Sequence, residues 1–241
     1  MTNLIKRIAL AGAIGLASLL PLQRAEAQTQ VSVNSTIKNH YVAVPGFMME
    51  KEPAIQSSVT VSRNGLYGAL WANHNLKNKA ISEVDYTIGY GRNVFGIDVD
   101  ASYNFFDLIN NGEARYNDNM EEFWLTFSKK GKVTPKIFFE QNLSAGTFEN
   151  SRGLNVLASL SHSRDIVGVP ISVEGSVQYN DRYFTKNSRF SIAQADLNFP
   201  FVVNGISVTP QLKVRKALDK VNFKNTSDIG LSVGYSFGGK K

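Results

Sequence analysis

The chain has 241 residues, contains no cysteine and carries a formal net charge of +6. The missing cysteine excludes a disulfide framework, a lipid-anchored N-terminus and any thiolate nucleophile or thiolate metal site. The charge is modest and its lysines are spread along the chain, so it is not the footprint of a nucleic-acid partner, although a basic balance suits contact with anionic lipid headgroups.

At the start, Lys6 and Arg7 precede an apolar run from Ile8 to Leu22, and Ala25-Glu26-Ala27 follows it. A positive flank, an apolar core and a small-x-small site predict a cleaved secretory signal over residues 1–27, with the mature chain running from 28 to 241. The run, roughly 15 residues long and broken by Pro21, falls short of the ~20 that cross a bilayer as a helix. Lys6, Arg7 and Arg24 against Glu26 take a net +2 with them, which leaves about +4 on the mature chain. No later stretch is apolar over a spanning length, so a helical membrane protein is excluded, and a mature chain that meets lipid must do so as a closed barrel.

From Val31 onward helical periodicity is absent, and apolar residues alternate with polar ones over stretches of about ten residues. That length matches a tilted bilayer crossing, whereas soluble strands average five or six. Phe95, Ile97, Val99, Ala101, Tyr103 and Phe105 share one face, with Gly96, Asp98, Asp100, Ser102 and Asn104 on the other. The last strand repeats the pattern, with Ile229, Leu231, Val233, Tyr235 and Phe237 set against Asp228, Gly230, Ser232, Gly234 and Ser236. It resembles the C-terminal assembly signal of outer-membrane proteins, except that residues 238–241 follow the aromatic. The segment Leu66 to His74 is ambiguous, because Leu66, Leu70 and Ala72 compete with Tyr67, Ala69 and Trp71 for the lipid face.

Connections alternate in length. Short turns are expected at Arg63-Asn64-Gly65, Gly91-Arg92-Asn93 and Lys129 to Lys132, and somewhat longer ones at Arg164 to Pro170 and Pro200 to Gly205. Polar loops fall at Val42 to Pro53, His74 to Ala80, Asp107 to Asp118, Asn142 to Gly153, Asn180 to Ser188 and Ala217 to Thr226. The expected fold is therefore all-β: a transmembrane antiparallel up-and-down barrel of about twelve strands, ten being the alternative, with both termini periplasmic. Tyr41, Tyr103, Phe105, Phe123, Phe139 and Tyr179 form one expected aromatic girdle, and Tyr90, Phe95, Phe127, Phe199, Tyr235 and Phe237 the other. Pro135 and Pro210 cannot donate to a ladder, and a closed barrel has no edge for them, so local bulges are expected there.

Pro53-Ala54-Ile55-Gln56, Gly65-Leu66-Tyr67-Gly68 with Trp71 and Asn73, Glu83-Val84-Asp85-Tyr86 and Gly89-Tyr90 together resemble the TorF-type family, outer-membrane barrels classed as porins. The likeness spans roughly Tyr41 to Phe106. Val42-Ala43-Val44-Pro45 stands where that family has Arg-Gly, and the second half matches only as a generic barrel. The resemblance implies an outer-membrane barrel with a channel role and brings no catalytic residues.

If the apolar face meets lipid, the polar face lines the interior. Glu83, Asp85, Asp98, Asp100 and Glu122 come from three consecutive strands, while Lys213 and Arg215 come from the eleventh and Lys38 from the first. Opposed walls of this kind would set a transverse field across an aqueous pore; the alternative is a set of ion pairs knitting a closed lumen. Trp124 and Phe138 point inward and would narrow any pore. The expected partners are outer-membrane lipid, small hydrophilic solutes and the barrel-assembly machinery met after export through the periplasm. A non-conducting surface scaffold or adhesion protein, working through its loops, is the second reading.

A lipid-modifying enzyme is the third, and its chemistry is poorly supplied. A nucleophilic serine needs a histidine on its own face, yet His162 lies between Ser161 and Ser163, and neighbours on a strand point to opposite faces. His40 and His74 fall by loops, where solvation explains them. Asp98 with Asp100 and Glu83 with Asp85 could bridge a hard cation, but such pairs are ordinarily polar lining. Gly89-Tyr90-Gly91 lacks the helix a phosphate loop needs. No catalytic residue, cofactor or metal ligand is therefore assigned.

Overall fold

A computed structural model of the protein describes residues 29–43, 48–110, 113–114, 119–144, 153–166, 169–183 and 185–238. The expected signal, residue 28, residues 239–241 and parts of five connections (44–47, 111–112 with 115–118, 145–152, 167–168 and 184) lie outside these. Twelve strands make the wall: β1 (Gln30–Lys38), β2 (Ala54–Arg63), β3 (Leu66–Asn75), β4 (Ala80–Val94), β5 (Ile97–Asn110), β6 (Met120–Ser128), β7 (Thr134–Ser144), β8 (Leu154–Ile166), β9 (Val169–Asp181), β10 (Ser188–Asn198, continued by Phe201–Val203), β11 (Ile206–Ala217) and β12 (Thr226–Phe237). Each is antiparallel to its sequence neighbours, and β1 pairs with β12 from Val31↔Phe237 to Lys38↔Gly230, so the sheet closes on itself. No strand edge is left to seek a partner.

Three hairpins close on two residues in the left-handed region: Asn64-Gly65, Phe95-Gly96 and Asn204-Gly205, with φ between 51° and 83°. Asn64-Gly65 falls at the short turn expected there and has type I′ chemistry, and Asn204-Gly205 repeats that chemistry where a longer connection is expected. Phe95-Gly96 corrects the expected turn at Gly91-Arg92-Asn93, because those residues continue the ladder opposite Asp100, Val99 and Asp98. Phe95 accordingly belongs to no strand face and stands free at the hairpin tip. The expected connection from Pro200 to Gly205 shrinks in the same way, since Phe201–Val203 pairs with Ile206–Val208.

Neither proline produces a bulge. The register runs through Pro135↔Leu160 and Pro210↔Leu231 without a shift, and the shifts fall instead at Asn73/His74, Asn142/Ser144 and Gln178/Tyr179. In a strand, the N–H and C=O of one residue face the same neighbour. The Pro135 carbonyl accepts from Lys129, just past the end of β6, and the Pro210 carbonyl accepts from Phe199, where β10 is interrupted. Each missing donor therefore faces a place where the neighbouring ladder has already stopped.

Alternation places Val33, Val59, Leu70, Ile88, Val177 and Leu231 on the outside, all substantially exposed. A continuous apolar belt of this kind far exceeds the largest patch an ordinary soluble monomer shows, and hydrocarbon is the medium that satisfies it. The ambiguous segment resolves with it: Leu66 and Leu70 face outward, while Tyr67, Trp71 and Asn73 face in, the last fully buried. Substituting Leu70→Arg should cost about 2–4 kcal/mol of folding stability in lipid vesicles, and Phe95→Arg at the exposed tip about 0–1 kcal/mol. Urea titration of vesicle-folded protein measures both.

Candidate functional site in the barrel lumen

The inner face is polar along every strand, but its two ends differ. Toward the six loops the inward side chains are almost fully buried, among them Gln56, Asn73, Asn104, Glu140, Asn155 and Asn180. Toward the five turns, Ser62, Tyr67, Asp100, Thr126, Lys136 and Glu174 are only half-buried. The lumen is thus a vestibule on the turn side and closely packed on the loop side.

Loops fold inward to make that packing. Between β1 and β2, Tyr41–Val42 pairs with Met48–Glu50 as a small hairpin. Its Tyr41 turns into the barrel, packs its ring 5.7 Å from Trp71 and donates its hydroxyl to Glu83 at 2.9 Å. This removes Tyr41 from the expected outer girdle. From the β9–β10 loop, Tyr183 is 1% exposed and donates to Glu122, while Asn180 fixes the Tyr183 backbone through both its amide atoms. From the β11–β12 loop, Phe223 packs against Ile192 and Ala217. Trp124 and Phe138 point inward as expected, edge to face at 5.5 Å, and Phe106 joins them 6.0 Å from Trp124.

The seven side chains expected to line the interior all face it, but not as two opposed walls. Asp98 and Asp100 stand at the turn end, where Asp98 accepts from Asn93 at 2.8 Å and meets Lys130 at 3.5 Å, and Asp100 accepts from Tyr67 at 3.0 Å. Glu83, Asp85 and Glu122 stand at the loop end; Asp85 lies opposite Phe106, six positions along β5 from Asp100, or about 20 Å. The acidic residues therefore form two groups at different heights. Lys213 and Arg215 are not a bare basic strand either. Lys213 reaches Asp196 at 3.6 Å, and Arg215 bonds Asp228 at 2.5 Å and Gln194 at 2.8 Å.

Asp196, Asp228 and Glu140 were missed as charges of the site, although strand parity alone turns all three inward. Lys136 with Glu174, 2.9 Å apart, was missed likewise. His40, expected to be solvated, is largely buried and pairs with Asp228. His162 faces outward with its Nδ1 2.6 Å from the Lys132 carbonyl, and Ser161 and Ser163 face the other way. Among the described residues no group of three or more His, Asp or Glu side chains gathers in metal-ligand geometry.

The result is an asymmetric interior. On the β10–β12 and β1 side, Lys38, Lys213, Arg215 and His40 are interleaved with Asp196 and Asp228. On the β4–β7 side, Glu83, Asp85, Glu122 and Glu140 have no ion pair to any described cation.

No protein-family model matches the chain, and neither does any curated protein. Among solved structures, the KdgM porin in complex with disordered oligogalacturonate superposes with a TM-score of 0.53 at 7% identity, covering 86% of this chain and 99% of that one. The NanC porin gives 0.46 at 11% identity over 87% and 100%, and the translocator domain of the autotransporter NalP from Neisseria meningitidis gives 0.41 at 11% over 98% and 97%. The KdgM likeness shows the fold, a twelve-stranded antiparallel barrel like that of an outer-membrane porin.

Removing the Arg215 guanidinium would leave buried Asp228 with His40 as its remaining ion-pair partner. Arg215→Met should destabilise the barrel by about 3–5 kcal/mol, and adding Asp228→Asn should recover a large part of it. A double-mutant cycle in denaturant titrations measures the coupling.

Proposed function

We propose that the protein is an outer-membrane channel through which small hydrophilic solutes pass by passive diffusion, with a preference for cations. The observation that carries this reading is the asymmetric polar interior: a closed ring whose inward carboxyls outnumber its inward lysines and arginines, with Glu83, Asp85, Glu122 and Glu140 left without cationic partners among the described residues. A lumen built only to be filled has no use for unpaired charge, since each such group opposes folding. The porin-like fold and the resemblance of residues 41–106 to the TorF-type family support the same reading, as does the outer apolar belt for residence in the outer membrane after export.

In this reading the turn-side vestibule is the wide part of the path, and the loop side is the constriction. Glu83, Asp85, Asp98, Asp100, Glu122, Lys213 and Arg215 line the path. Tyr41 and Tyr183 narrow it, and their loops set the rate. The non-conducting scaffold is favoured by one observation, the nearly complete burial of the loop-side polar groups, and a bilayer experiment separates the two.

Protein reconstituted in planar bilayers should carry single-channel current with a reversal potential shifted toward that of cations. Tyr41→Ala and Tyr183→Ala should each raise the conductance, and Asp98→Asn with Asp100→Asn should lower the cation preference. No current above background from the unaltered protein or from either tyrosine variant would defeat the channel and leave the scaffold.

A further inference from the structure

Two buried features of the loop-side lumen lie together. Glu122 on β6 and Glu140 on β7 are each 1% exposed and are diagonal neighbours on the inner face of the β6–β7 ladder. No lysine or arginine among the described residues pairs with either. Asn142, two positions on from Glu140 on the same face and directly across the β6–β7 ladder from Glu122, is 2% exposed, and neither its Oδ1 nor its Nδ2 has a hydrogen-bond partner. Two ionised carboxylates on neighbouring strands of a low-dielectric interior repel strongly, and an unmet buried amide is a separate penalty. Residues directly opposite in an antiparallel pair have Cβ atoms about 4.5–5.5 Å apart and diagonal ones about 7–8 Å, so the Asn142 amide stands across from Glu122 with Glu140 within side-chain reach of both.

We propose that Glu122, Glu140 and Asn142 bind a single calcium ion. One cation removes both penalties: it neutralises the carboxylates and gives the Asn142 carbonyl oxygen a partner, while Asn142 Nδ2 donates to a water of the ion's shell. The donor set is entirely oxygen, with neither nitrogen nor sulfur ligands, which disfavours zinc. Calcium accepts six to eight oxygens in flexible geometry, amide carbonyls and waters included, and so tolerates ligands spread over two strands better than octahedral magnesium.

The surrounding hydrogen bonds leave the carboxylates oriented for this. Trp124 Nε1 donates to Glu122 Oε2 at 2.7 Å, Tyr183 donates to the other oxygen, and Asn155 Nδ2 donates to Glu140 Oε2 at 2.8 Å. Each carboxylate oxygen keeps a second lone pair for the ion. Such outer partners hold metal-binding carboxylates in place, and through Tyr183 the ion also ties the β9–β10 loop to the wall. The site does not depend on whether the barrel conducts.

Trp124 supplies a built-in reporter. Full-length mature protein folded in detergent and stripped with chelator should sensitise terbium luminescence on tryptophan excitation, the Trp124→Phe variant losing most of the signal, and calcium should displace the terbium. Equilibrium dialysis should find about one calcium per chain at free concentrations up to the millimolar range of extracellular sites. Asn142→Leu should weaken binding by about tenfold or more, and the double variant Glu122→Gln with Glu140→Gln should abolish it, while Glu52→Gln, partly exposed on the β1–β2 connection, leaves it unchanged. Each variant is read only when its heat-modifiable gel mobility shows a folded barrel. No saturable calcium binding by the unaltered protein would overturn the proposal on its own, as would binding that Asn142→Leu leaves at full strength.

Discussion

A backbone in hydrocarbon has no water to pair with, so each of its N–H and C=O groups must find a partner within the chain. Here the pairing of β1 with β12 meets that requirement: it turns an open sheet with two bare edges into a ring with none. Closure in turn enforces parity, because a strand held on both sides cannot slip by one residue without moving its whole apolar set into the lumen. The outer belt, the polar interior and the heights at which charges stand all descend from this one restraint.

Where parity is the signal, the amino-acid pattern is readable without coordinates. β5 and β12 alternate so regularly that their faces, their length and their place in a barrel follow directly, and the inward direction of Glu83, Asp98 and Lys213 follows with them. Asp196, Asp228 and Glu140 were as legible by the same rule, and each changes the electrostatics it was left out of. The turn before β5 was less accessible. Gly91-Arg92-Asn93 has turn composition, but register with β5 carries the ladder past it to Phe95-Gly96, and register depends on partners far away in sequence. Loops are worse still. Tyr41, Tyr183 and Phe223 have no period to betray them, and their inward course depends on Glu83, Glu122 and Ile192 waiting on strands some 31 to 61 positions distant.

The residues behind the family resemblance have separate physical reasons to be what they are. Gly65 takes φ +83° at a hairpin whose Cβ would strike the Gly91 carbonyl. Tyr67 lies across the strand onto Gly89, directly opposite in register, where any side chain would collide with its ring. With that ring laid flat, its hydroxyl reaches Asp100 on the next strand. A glycine, a tyrosine and an aspartate on three successive strands thus brace the lumen at the turn end. These are constraints of barrel building, which explains why they carry a fold expectation and no chemistry.

The charges on the two sides of the lumen call for different explanations. Around Arg215, opposite signs alternate between neighbouring strands, and Arg215, Lys213, His40, Asp196 and Asp228 are all paired, so that side can be understood as structure alone. Around Glu122 and Glu83, four carboxyls gather with two tyrosines, an asparagine and a tryptophan as their described donors. Neutral donors stabilise a carboxylate but do not cancel its field, and glutamine at any of these positions would keep much of the hydrogen bonding without the repulsion. A barrel whose stability rests on its apolar exterior can carry such a concentration of acid, but carrying it has a cost that packing does not repay. That imbalance is the feature of this interior that points beyond folding, toward something positively charged that enters, stays or passes.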